Sequence, residues 1–193
     1  MGQYQIPQNP AIVDIVVDMQ NDFVTGSLGT NEAIKITPLV AETARKAIAD
    51  GCGVLFTKDT HPSDYLNTRE GRELPVEHCI NGTKGWELAP AIKEVSLLLD
   101  GKTECCKPTF GDVNLPQRVK ELFFPDGYVP GTVKKFRLYG VCTGICVLAN
   151  AVILRSAFPE TDIEILENAC ACVTPESHNT AIAAMRTLQF HII

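Results

Sequence analysis

Four polar side chains sit at the ends of apolar stretches: Asp18 in "VVDMQNDF", Asp59 in "TKDTHP", Lys107 in "CCKPTF" and Cys146 in "GVCTGICV". They are separated by 41, 48 and 39 residues. A thiol, a carboxylate and an ammonium are the parts of a thiolate nucleophile, with a base to take its proton and a cation to favour the anion. Cys146 falls at or just inside the first turn of an apolar helix. Free N–H groups and the helix dipole are expected there to lower a thiol pKa. The same donors, with the backbone N–H of Cys142, can hold the oxyanion of a tetrahedral intermediate. Asp18 can take the thiol proton, while Lys107 favours the thiolate and holds the carboxylate in place. Each residue alone has a duller account: core packing for Cys146, a loop cap for Asp18, a solvated head group for Lys107.

A second set surrounds Asp59. His61 follows it by two residues, and His78 in "LPVEHC" lies 17 residues beyond His61. Carboxylate and imidazole suit Zn, Fe or Mn, with zinc the first expectation. The plainer account of either histidine is a loop residue bonded to backbone. Glu70 is the expected fourth ligand, with Asp64 and Glu73 competing. The connection carrying these residues is long for a structureless loop, which points to function.

The elements that must position these groups alternate strand and helix. Strands are expected over 11–17, 53–59, 102–108, 134–143 and 162–172, with "FHII" a short last one. Helices are expected over 37–51, within 86–99, and over 115–124, 144–158 and 174–189; the 144–158 helix is apolar almost all round and should be buried. This alternation argues for an α/β fold, a mostly parallel sheet with helices on both faces, whose ligands bind at the carboxyl ends of the strands. No GxGxxG or P-loop follows the first strand, which weakens nucleotide-binding readings.

With 193 residues the chain is expected to form a single domain, residues 1–193, with 1–10 as an N-terminal tail. A net charge of −6 without a basic cluster argues against nucleic acid or an anionic membrane as partner. The polar start lacks the layout of a signal peptide, so a cytoplasmic location and eight reduced cysteines are expected. No CxxC pair occurs, and "CC" and "CAC" place neighbouring thiols on opposite faces of a strand, which suits packing; the Cys142 thiol is read as packing too.

The five segments "VVDMQNDF", "TKDTHP", "EHCINGT", "KPTF" and "GVCTGICV", in this order, resemble the isochorismatase-like cysteine hydrolases, and the D-x-H with its later histidine resembles the nicotinamidase/pyrazinamidase branch. The resemblance implies a three-layer αβα, Rossmann-like fold with a six-stranded parallel sheet. It also implies an Asp18–Lys107–Cys146 triad hydrolysing a small amide through a thioester, and a cis peptide before Cys142 that turns the Cys142 and Cys146 N–H groups toward the oxyanion. It gives one divalent metal to Asp59, His61 and His78, with Glu70 as the suggested fourth ligand. Phe23 becomes an aromatic wall of the substrate pocket, otherwise ordinary core. Nicotinamide, for NAD salvage, is the leading substrate, ureido or carbamoyl compounds come next, and a non-catalytic binding protein is the rival from another class. Relatives are often oligomers, so a homo-oligomer is expected. There are departures: Gly144 stands where the family commonly has Asp, the 62–77 loop lacks a further histidine, and Gly-Asp-Val follows "KPTF".

Overall fold

The computed structural model describes residues 2–193. Its frame is a six-stranded, all-parallel sheet in the order β3-β2-β1-β4-β5-β6. The strands are β1 (Ile12–Val17), β2 (Gly53–Asp59), β3 (Glu104–Lys107), β4 (Lys135–Val141), β5 (Asp162–Ala171) and β6 (His191–Ile192). β2 is buried along its whole length, and β1 along all but its first residue, which explains their mostly apolar character in a sheet covered on both faces. The order reverses between β1 and β4, where the chain leaves in opposite directions from neighbouring strands and a crevice opens beyond their carboxyl ends. Asp18 follows β1, and the segment with Cys146 follows β4. The topology therefore brings the expected acid and sulfur together.

The helices are α1 (Asn21–Val24), α2 (Asn31–Ala49), α3 (Arg69–Glu73), α4 (Pro90–Ser96), α5 (Leu115–Phe123), α6 (Leu148–Ala157) and α7 (Pro175–Thr187). Two differ from the sequence expectation. α2 begins six residues before 37: Thr30 accepts a hydrogen bond from the Ala33 N–H (3.0 Å) as N-cap, and Pro38 sits inside the helix. The 144–158 segment is not one buried helix. Thr143–Val147 forms a π-type turn and α6 starts after it, with Ile145 and Val152 exposed. The long connection after β2 is also structured, with a 3-10 turn at Tyr65–Asn67 followed directly by α3.

Candidate active site

Asp18 is fully buried and has φ +50, a left-handed backbone unusual for a side chain other than Gly or Asn. The conformation turns its carboxylate back over the end of the sheet. The Thr57 hydroxyl donates to Oδ1 at 2.7 Å. Lys107, the last residue of β3 and also fully buried, reaches across β2. Its Nζ stands 2.6 Å from Asp18 Oδ2, 3.2 Å from Asp59 Oδ1 and 3.7 Å from Cys146 Sγ. Burial alone would pull the lysine down, but the charges of Asp18 and Asp59 raise it above its ordinary value, so it remains an ammonium. Burial raises the Asp18 carboxyl, and Lys107 only partly offsets this.

Cys146 sits in the π-type turn, buried, with its carbonyl accepting from Asn150 Nδ2 at 2.8 Å. Its thiol is pushed well up, first by burial and then by the Asp18 charge, with Lys107 opposing. This corrects the expectation of a lowered thiol pKa: desolvation outweighs the turn's donors and the lysine. The sulfur therefore rests protonated and needs a base when it attacks. The Val141–Cys142 peptide is cis, and both Cys142 and Cys146 line the cavity described below. Gly140 allows the approach of β4 to β1 at this point: it has φ +123, and a Cβ there would lie 2.2 Å from the Val17 carbonyl oxygen.

A further correction concerns the thiols. Cys142 and Cys172 form a disulfide, with Cα atoms 4.6 Å apart, so not all eight cysteines are reduced. The cause is register: Val141 pairs with Ala171 across β4 and β5, so the next residue on each strand faces the other.

Asp59, His61, Glu70 and His78 converge, with one ligand atom from each lying within 4.8 Å of the others. His61 Nε2 is 2.8 Å from Asp59 Oδ2, and Glu70 Oε1 is 3.7 and 3.8 Å from the Nε2 atoms of His61 and His78. Asp64 and Glu73, the competing candidates, are not in this group. Two features fit a cation. Glu70 Oε1 is buried without a hydrogen-bond partner, and His78 Nδ1 lies 2.8 Å from the Val76 carbonyl, which leaves Nε2 as the lone-pair atom facing the group. Burial pushes Asp59 up, but the hydrogen bond with His61 and the Lys107 charge hold it well below the usual carboxylate range, which keeps it an anion.

Between sulfur and histidines lies a cavity of about 480 Å³. Phe23, Leu74, Phe110, Ile145 and Val173 give it largely apolar walls, and Cys146, Asp59, Glu70 and His78 place the reactive groups on its surface. The Phe23 ring lines this cavity and lies 5.5 Å from that of His78. The Gly-Asp-Val departure turns away from it: Asp112 pairs with Arg118 at 2.7 Å and its N–H donates to Asn150 Oδ1.

Several supporting residues escaped the sequence reading. Gln20 clamps the Asp59 backbone, donating to its carbonyl (2.8 Å) and accepting from its N–H (2.7 Å). Asp22 accepts from the Cys79 N–H at 2.8 Å and ties the histidine loop to the turn after β1. Tyr65 is fully buried, with ring centroids 4.7 and 5.0 Å from His61 and His78. The polar run "QND" after Asp18 was the available signal for the first two; Tyr65 had none.

The Isochorismatase domain family matches residues 12–193. Among solved structures, the chain is similar to nicotinamidase from Bacillus subtilis (25% identity, covering 94% of this chain and 98% of that one, TM-score 0.79). It is also similar to the pyrazinamidase of Pyrococcus horikoshii in complex with zinc (26% identity, 95% and 99% covered, TM-score 0.74). The N-carbamoylsarcosine amidase from Thermoplasma acidophilum shares the fold at 21% identity (94% of each chain covered, TM-score 0.71). No curated protein sequence matches the chain.

Proposed function

The chain belongs to the isochorismatase domain family of hydrolases, and on that premise we propose that it is a cysteine-dependent amidohydrolase converting nicotinamide to nicotinate and ammonia. The observation that carries this reading is Lys107 Nζ, in contact with both the Asp18 carboxylate and the Cys146 sulfur, all three residues buried. Similarity to nicotinamidase and pyrazinamidase structures supports the substrate class. An apolar cavity with a phenyl ring beside an imidazole also suits a planar heteroaromatic amide better than a polar ureido compound.

Asp18 accepts the thiol proton as the sulfur attacks the carboxamide carbon. The carbonyl electrons move onto oxygen, held by the Cys142 and Cys146 N–H groups, donors commonly worth about 10²–10³ each in rate. The C–N bond then breaks, Asp18 returns its proton to the leaving nitrogen, and ammonia departs. Water adds to the thioester with Asp18 taking its proton, and as the C–S bond breaks Asp18 returns that proton to the sulfur, which restores the thiol and the carboxylate. Lys107 stays charged throughout and keeps Asp18 aligned. Asp59, His61, Glu70 and His78 would hold a divalent ion, zinc first by donor chemistry, which when bound would supply a Lewis-acid anchor that orients the substrate ring. Phe23 packs against that ring. The reaction would return the pyridine ring to NAD synthesis in the cytoplasm.

The test is ammonia release from nicotinamide, with metal content determined on the same sample. Wild-type protein should turn over and Cys146→Ala should not; wild-type turnover by that variant overturns the assignment.

A further inference from the structure

The nucleophile turn is held from a direction that the chemistry above does not use. Thr143, which opens it, is fully buried, and its hydroxyl is 2.9 Å from His178 Nδ1 on α7. Behind the imidazole, Glu167 Oε1 on β5 stands 4.0 Å from Nε2. α7 is itself fixed just after β5 by a capping box in which Thr174 and Ser177 satisfy each other's backbone N–H groups. Gly144 suits this close approach: a Cβ there would lie 3.1 Å from the Ala181 Cβ, tight enough to crowd α7.

We propose that His178 is a positioning residue for the nucleophile, fixing through the Thr143 hydroxyl the turn that carries Cys146. The inference rests on the reading of Cys146 as nucleophile. The turn is pinned at two points from two helices: Asn150 on α6 holds the Cys146 carbonyl, and His178 on α7 holds Thr143. Losing one pin leaves the cavity walls in place but lets the sulfur drift from Asp18 and Lys107. A displacement near 1 Å costs about 10²-fold in rate. The effect should fall on kcat rather than on KM.

The experiment compares His178→Ala, His178→Asn and Thr143→Val in two assays. One is steady-state nicotinamide hydrolysis. The other is the pH profile of Cys146 alkylation by iodoacetamide, followed by peptide mass spectrometry. His178→Ala and Thr143→Val should each lower kcat by about 10–100-fold with KM within about threefold, and the double variant should be no worse than either single one. His178→Asn keeps a polar atom at the Nδ1 position and should recover activity to within about threefold of wild type. The alkylation profile of His178→Ala should be displaced by about half a unit or more and return in His178→Asn. Unchanged kcat in His178→Ala, additive losses in the double variant, no rescue by Asn, or superposable alkylation profiles would overturn the proposal. Alkylation needs no substrate. If wild type does not hydrolyse nicotinamide, the substrate reading falls while the profiles still decide the role of His178. If His178→Ala does not fold, Thr143→Val, which loses only a hydroxyl, carries the same test.

Discussion

Two buried aspartates four residues apart, Asp14 within β1 and Asp18 just past its end, meet opposite treatment. Asp14 is saturated. Arg137 donates to both its oxygens at 2.6 and 3.0 Å, and the Tyr139 hydroxyl donates at 2.9 Å. Asp18 has a strained backbone and one good hydrogen bond, from Thr57. Its Oδ2 meets the Lys107 ammonium at 2.6 Å, and another neighbour of the carboxylate is the Cys146 thiol whose proton it is to take. A carboxylate used for folding has its lone pairs filled, whereas one used as a base keeps an acceptor open for a proton to come. The contrast teaches that burial of an acid says little about its role until its lone pairs are accounted for.

The comparison breaks most sharply under Asp18→Asn. Asn tolerates the left-handed backbone but cannot take a proton, so kcat should fall by about 10³ or more while Tm stays within a few degrees; ammonia release and a thermal melt measure both. Asp14→Asn should do the reverse. It puts an amide N–H2 where an acceptor oxygen faced the Arg137 and Tyr139 donors, costs about 2 kcal/mol of stability and lowers Tm by roughly 4–8 °C, while kcat of the folded fraction changes less than about twofold. Equal effects of the two variants on both readouts would erase the distinction.

Metal removal sharpens it from the other side of the cavity. Glu70 Oε1 is buried beside two imidazoles without a hydrogen-bond partner, so a divalent ion should stabilise the fold. Zinc at about 100 times its dissociation constant should add roughly 2.7 kcal/mol. Dialysis against a chelator should lower Tm, zinc should restore it, and His61→Ala should abolish the response.

The Asp14 carboxyl also gives a pH dependence. Burial, against the pull of Arg137, pushes it up from 3.8 to about 6. The native state therefore holds a proton that the unfolded chain releases, and this site's contribution to stability falls as pH rises from about 4 to 6. Asp14→Asn should lack that slope in urea midpoints measured across the window. The smallest effect is a count: denatured without reductant the chain should show six free thiols, and eight after reduction.

Much of this was legible in the sequence because βα repetition places strand ends at one rim. Asp18, Asp59, Lys107 and Cys146 are read from apolar runs stopping at polar residues, and Glu70 from its place between two histidines. What was not legible depends on how elements approach one another. The Cys142–Cys172 bond follows from β4–β5 register, which no local pattern encodes. The Thr143–His178 contact follows from how near α7 lies at Gly144. The raised Cys146 thiol follows from burial, whereas the sequence announced only a helix start. The early beginning of α2 was hidden by Pro38, usually a helix-opening residue but here in the interior.

The central claim is that the Cys146 sulfur, with Asp18 and Lys107 in reach, bonds covalently to the substrate. Rapid acid quenching during nicotinamide turnover, followed by mass spectrometry of the peptide containing Cys146, tests it most directly. The account predicts a nicotinoyl thioester on that peptide and on no other cysteine. Ammonia released at full rate with the Cys146 peptide unmodified at every time point would contradict it.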